Sequence, residues 1–83
     1  MIRIRYFARL REALGRGEEE IALPDGVASA GALRDWLCER GEPWRDALSA
    51  PAVLVAINQE SARPETPVAD GDEVAFFPPV TGG

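Results

Sequence analysis

Glu73-Val74-Ala75-Phe76-Phe77-Pro78-Pro79-Val80-Thr81-Gly82-Gly83 closes the sequence and holds three messages in order. The first five residues mix β-branched and aromatic side chains and read as a strand. Pro78 and Pro79 cannot donate backbone hydrogen bonds, so a sheet ladder ends there, and the pair imposes an extended, polyproline-like course. Gly82 and Gly83 let the backbone take almost any φ/ψ and thread a channel too narrow for side chains. A final residue without a Cβ leaves its carboxylate as the least hindered electrophile a polypeptide can offer. Chain ends commonly fray, so the two glycines alone carry little. Together, a folded edge, a stiff spacer and a bare end predict a tail that serves as substrate in another protein's active site. From Pro78 to Gly83 the reach is at most ~20 Å at ~3.3 Å per residue. The carboxylate can then sit inside a partner while the folded body stays outside.

Working back from that end, Ala69-Asp70-Gly71-Asp72 is a turn feeding the last strand. At the other end Ile2, Ile4 and Tyr6 alternate with Arg3, Arg5 and Phe7, the period of a half-buried strand. Phe7, Leu10 and Leu14 then switch to a spacing of three and four, predicting a short helix closed by Gly15. Glu18-Glu19-Glu20 reads as a solvated lead into a second strand through Ile21 and Leu23, and Pro24-Asp25-Gly26 turns the chain. Ser29 is a candidate N-cap for the main helix, with Leu33, Trp36, Leu37 and Arg40 along one side. Gly31 weakens that helix slightly, and Gly41 follows its last turn. Pro43 suits the first position of another helical turn, Trp44 to Leu48. Ala52 to Ile57 is an almost continuous apolar run, expected to be a strand covered on both faces or along a buried sheet. Asn58-Gln59 marks a turn, and Ser61 to Pro67 is loop or edge. The predicted order, β-(short α)-β-α-β-(loop)-β, is an α+β arrangement with one helix lying across one sheet face.

Composition limits the chemistry. Eighty-three residues make one domain, able to bury a little over ~60% of its unfolded surface. With 46% hydrophobic and 28% charged residues it is an ordinary globular chain. No apolar run approaches the ~20 residues of a membrane span, and the N-terminus lacks a signal-peptide core, so a cytoplasmic protein without membrane association is expected. A net charge of −5 argues against nucleic acid as partner. Residues 1–16 nevertheless hold five arginines and one glutamate, against four arginines and thirteen acids in the rest. A surface polarised in this way can orient a partner, or simply reflect two differently solvated faces.

There is no His, no Lys and a single Cys. Ser-His and Cys-His nucleophile pairs, His metal sites, thiolate zinc clusters, P-loops and Schiff bases are therefore outside its means. No bound cofactor and no metal site are expected. Asp70, Asp72 and Glu73 fit a turn better than a metal loop. Nothing near Cys38 in sequence would activate its thiol, which is read as structural. Trp36 and Trp44 are read as packing residues, and Arg11 as either an interfacial or a solvated helix residue. On strand alternation Phe77 and Phe7 fall on the open side of the sheet if Val74 and Phe76 face the helix. They would then anchor a partner, the alternative being that one tucks under the 8–14 helix.

The last fourteen residues, Asp70 to Gly83, resemble the C-terminal signature of the MoaD family, the small subunits of molybdopterin synthase. Tyr6-Phe7-Ala8 with Leu10-Arg11-Glu12, and Val55-Ala56-Ile57-Asn58-Gln59, fit the same family's pattern, and the resemblance spans the chain. It implies a ubiquitin-like β-grasp domain over residues 1–79, a mixed sheet, and a flexible reactive tail at 80–83. It further implies a sulfur carrier. A MoeB-like adenylating enzyme, similar to ubiquitin-activating enzymes, would use ATP to adenylate Gly83, and a sulfur donor protein would convert it to a thiocarboxylate. The tail would insert into a MoaE-like large subunit and deliver sulfur to cyclic pyranopterin monophosphate. The family assembly is a heterotetramer, two small subunits on a large-subunit dimer. On this resemblance Gly83 is the reactive residue and Gly82 its slim neighbour, with Phe77, Phe7, Pro78, Pro79, Val80 and Thr81 as partner-binding residues. Alone, such a chain would not be an enzyme. Carriers for thiamine, cysteine or tRNA thiolation, a ubiquitin-like protein modifier, and a plain interaction module are the competing readings; the Phe76 to Thr81 context favours molybdopterin.

Overall fold

The computed structural model describes residues 1–49 and 52–79. The expected tail at 80–83, with Val80, Thr81, Gly82 and Gly83, lies outside the described residues. Eight elements follow in order: β1 (Ile2–Tyr6), α1 (Ala8–Leu14), β2 (Glu18–Ile21), α2 (Ala30–Cys38), α3 (Trp44–Leu48), β3 (Leu54–Ile57), β4 (Glu60–Ala62) and β5 (Glu73–Phe77). The five strands form one sheet in the order β2-β1-β5-β3-β4. β1 and β5 are parallel in its centre, and the other pairs are antiparallel, so the sheet is mixed.

Alternation decides which side of the sheet is core. Ile2, Ile4 and Tyr6 are at most 1% exposed, as are Val74 and Phe76 beside them on β5. Ile57 extends this layer on β3, and Leu33 and Leu37 of α2 close it from above. Leu10, Leu14 and Leu48 bring α1 and α3 onto the same apolar mass. Leu33, Leu37 and Leu48 are fully buried. Burying each such side chain supplies about 1.5–3 kcal/mol.

The helix boundaries follow their capping residues. Ser29 is extended (φ −143°) and its Oγ accepts from Ala32 N–H at 3.2 Å. Gly15 takes the left-handed conformation, φ 72°, and its N–H donates to Arg11 O at 3.0 Å, ending α1. Pro43 is the N-cap of α3, one position earlier than expected. The proline-rich segment after β4 supplies acceptors to the start of α2. Ala30 N–H donates to Thr66 O at 2.9 Å, and Gly31 N–H to Pro64 O at 2.8 Å. These bonds satisfy donors that a helix start leaves open. They also explain Gly31, where a Cβ would come within 3.1 Å of Pro64.

Three expectations are corrected. The triple glutamate is itself most of β2, in register with β1 from Arg5↔Glu18 to Ile2↔Ile21. Its alternation is acidic outside and, at Glu19, polar toward the core side, which a reading based on apolar period misses. Residues 60–62 form a fifth strand, an edge too short and polar to stand out. The apolar run through β3 is not covered on both faces: Leu54 remains 44% exposed.

Candidate interaction face beside the C-terminal tail

No helix among the described residues covers the sheet's second face, and the register fixes what it presents. β1 contributes Arg3 and Arg5, with Phe7 just beyond its end. β5 contributes Glu73, Ala75 and Phe77, and β3 contributes Leu54 and Ala56. Glu18 and Glu20 of β2 lie beside Arg5 and Arg3. The face therefore divides in two.

The half over β2 and the first part of β1 is charged. Arg3 pairs with Glu18 at 3.8 Å and Glu20 at 3.4 Å, and Arg5 with Glu73 at 3.9 Å. The Arg3 pairs are exposed and contribute little to stability, whereas the Arg5–Glu73 pair is partly buried. The other half is apolar. Leu54 lies directly across from Phe77, and Ala56 from Ala75. Phe7 N–H donates to Phe76 O at 3.2 Å, which extends the β1–β5 ladder by one rung and sets Phe7 beside Phe77. Phe7 is 39% exposed and does not tuck under α1. Ala8, with φ 52°, turns the chain sharply into α1 and leaves Phe7 at the sheet's rim.

Of the residues expected to bind a partner, Phe7 and Phe77 share this face, and the partly buried Pro78 and Pro79 follow directly from β5. Because β5 lies mid-sheet, the chain leaves the fold between β1 and β3, next to the apolar half. Ala75 falls on this face as strand alternation predicts, whereas Leu54 and the Arg5–Glu73 pair were missed from sequence. The signal for Leu54 was present: a strand apolar on both sides needs a cover on each, and the domain supplies one.

Cys38 and Asp72 lie away from this face, each among local partners. Burial raises the Cys38 thiol above the ordinary range; Arg34 beside it opposes that shift and Asp35 reinforces it. Asp72 is a turn residue, accepting from Ala69 N–H at 2.8 Å and Asn58 Nδ2 at 3.0 Å, bonds that hold its carboxyl low. Among the described residues no group of three or more His, Cys, Asp or Glu could hold a metal ion. No helix among them is long and apolar enough to cross a membrane.

A mixed five-stranded sheet, with its parallel pair in the centre and one main helix across one face, defines a ubiquitin-like β-grasp protein. Residues 4–83 match the ThiS family. The chain is 46% identical over its full length to the molybdopterin synthase sulfur carrier subunit of Haemophilus influenzae, which it also covers completely. It is 41% identical to the Escherichia coli subunit of the same name, again over all of both chains. Among solved structures it is similar to a putative molybdopterin converting factor subunit 1 from Pyrococcus furiosus: TM-score 0.75, 32% identity, 95% of this chain and 97% of that one. The small archaeal modifier protein 1 of Haloferax volcanii follows with TM-score 0.74, 29% identity and coverage of 95% and 97%. The chain belongs to the ThiS/MoaD family.

Proposed function

We propose that this chain is the sulfur-carrying small subunit of a molybdopterin synthase, acting through its C-terminus. The observation that carries the reading is the full-length identity to two subunits bearing that name. An uncovered apolar half-face beside the point where the tail leaves the sheet supports it.

A carboxylate is a poor acyl donor, so the reaction begins elsewhere. An adenylating enzyme uses ATP to convert the Gly83 carboxylate into an acyl adenylate, with release of pyrophosphate. The terminal sulfur of a donor protein's persulfide attacks the carbonyl carbon and AMP leaves. A thiol reductant then cleaves the resulting acyl disulfide, which frees the donor and leaves a thiocarboxylate. Gly83 offers no side chain to crowd that carbon, and Gly82, Thr81 and Val80 carry it into the partner's channel. Pro78 and Pro79 hold the tail extended at its root. The large subunit then receives the sulfur for cyclic pyranopterin monophosphate. On this reading Phe7, Phe77 and Leu54 dock on the large subunit. The chain binds no cofactor of its own, ATP belongs to the activating enzyme, and the chain catalyses nothing alone. Dependence on cellular ATP assigns it to the cytoplasm.

The test is the intact mass of the chain after incubation with an activating enzyme, ATP and a sulfur donor. Replacement of one oxygen by sulfur is expected, and Gly83→Ala should lose it while melting normally. An unchanged mass, with the activator shown competent on another carrier, overturns the proposal. The likeness to an archaeal modifier protein favours one second reading, conjugation to protein amines. Lysine-linked adducts in the same reaction, with no thiocarboxylate, would select it.

A further inference from the structure

We infer that Arg5 is a positioning residue: its guanidinium holds the Phe7 ring in the orientation that docks on the partner. The inference rests on the reading of the open face given above.

Phe7 has a fixed backbone and a free side chain. Its N–H is bonded to Phe76 O at 3.2 Å, and its carbonyl accepts from Leu10 N–H at 3.1 Å, so the residue is tied to both β5 and α1. Its ring lies outside the apolar core, 39% exposed, and stacks on no other aromatic ring among the described residues. An unpacked phenylalanine samples several χ1 rotamers, and a partner must freeze one of them on binding.

Arg5 changes that. Its Cζ lies 5.0 Å from the centroid of the Phe7 ring, within the range of a cation–π contact. The two side chains share a face because they are two residues apart along the strand line. The guanidinium is itself anchored by Glu73 on the neighbouring strand, at 3.9 Å. Glu18, opposite Arg5 in register, is engaged by Arg3 at 3.8 Å. Glu73, Arg5 and Phe7 thus form a line across the boundary between the charged and apolar halves of the face. The charged half fixes the geometry of the apolar anchor before any partner arrives. Such preorganisation strengthens binding by removing an ordering cost.

The test is a double-mutant cycle on binding to the purified large subunit of a molybdopterin synthase. Arg5→Met keeps an unbranched apolar stem about as long as the arginine's methylene chain and removes the cation. It should raise Kd roughly 2- to 5-fold, the range of an exposed cation–π contact. Arg5→Lys should recover part of that loss. In a Phe7→Leu background, itself weaker by about tenfold as a lost aromatic anchor, Arg5→Met should change nothing further. A second readout needs no partner. In the free protein the Arg5 δ-methylene protons should be shifted upfield by the ring and return to ordinary values in Phe7→Leu. Equal losses from Arg5→Met in both backgrounds, or no loss in the wild-type background, overturn the positioning role and leave the docking face standing. No effect of Phe7→Leu on Kd overturns the docking reading itself, and this inference with it.

Discussion

The Tyr6 hydroxyl donates a 2.8 Å hydrogen bond to the Glu19 carboxylate, joining the inner strand β1 to the edge strand β2 on the core side of the sheet. The same carboxylate accepts from Arg40 at 3.0 and 3.1 Å and lies 3.6 Å from Arg16. Trp44 closes the group, with its ring 4.5 Å from the Arg40 guanidinium and 5.6 Å from the Tyr6 ring. One acid in a run of three therefore ties β1, β2, the end of α2 and α3 together.

Glu19→Ala should cost about 2 kcal/mol, since it strands a tyrosine hydroxyl and an arginine that share charge-assisted bonds. For a domain of this size the melting midpoint should fall by roughly 10 °C. Burial acts to raise the Glu19 carboxyl, but hydrogen bonds from Arg40 and Tyr6, then the charges of Arg40 and Arg16, outweigh it and hold it below the usual range. A depressed folded value makes the stabilisation fully present above the unfolded value of about 4.3. It is lost as pH falls through the folded one. Urea midpoints at pH 7 and pH 3 should therefore differ less in Glu19→Ala than in the parent. Equal acid sensitivity would show that other carboxylates dominate.

Tyr6 is the single tyrosine, so phenolate absorbance reports it alone. Burial raises its phenol, and the bond to Glu19 and that residue's charge add to the shift, against the opposing charges of Arg40 and Arg16. No phenolate should form around pH 10, where an exposed tyrosine is half ionised. A raised folded value contributes stability below the unfolded value and loses it as pH climbs. The absorbance step should thus coincide with alkaline unfolding followed by circular dichroism. A step near pH 10 in folded protein would contradict the burial.

Leu54 and Leu33 are the same residue type on opposite sides of the sheet, 44% and 0% exposed. Leu33→Ala opens the core and should cost about 2–5 kcal/mol, a large share of the stability of a domain this small. Leu54→Ser should change stability by less than ~1 kcal/mol. It should still weaken binding to the large subunit, because Leu54 faces Phe77 across the open face. Chemical unfolding and a binding titration on the same two variants check both. A Leu54→Ser protein as unstable as Leu33→Ala would place that face in the core.

The elements whose side chains alternate or repeat cleanly were legible. β1, α1, α2 and β5 follow from apolar spacing, a serine cap and a left-handed glycine, all local signals. β2 was misread because its strand period is written in glutamates, and Glu19 finds its partners 13 and 21 residues away. β4 was missed because three polar residues become a strand only when β3 supplies the ladder. On the site, Phe7 and Phe77 were legible through alternation. Leu54 and the Arg5–Glu73 pair were not, because each depends on which strands are neighbours in the sheet.

The sequence by itself determined the parity of each strand, the stop at Pro78, and the glycine pair that follows. Covalent order and φ/ψ preference are properties of neighbours along the chain, and so are readable there. Only the tertiary structure decided that β5 lies between β1 and β3, and that the open face splits into charged and apolar halves. Register sets which strand meets which, and it is a long-range outcome: side chains 70 residues apart on β1 and β5, and 17 to 23 apart on β3 and β5, share one surface only after the core has chosen its pairing.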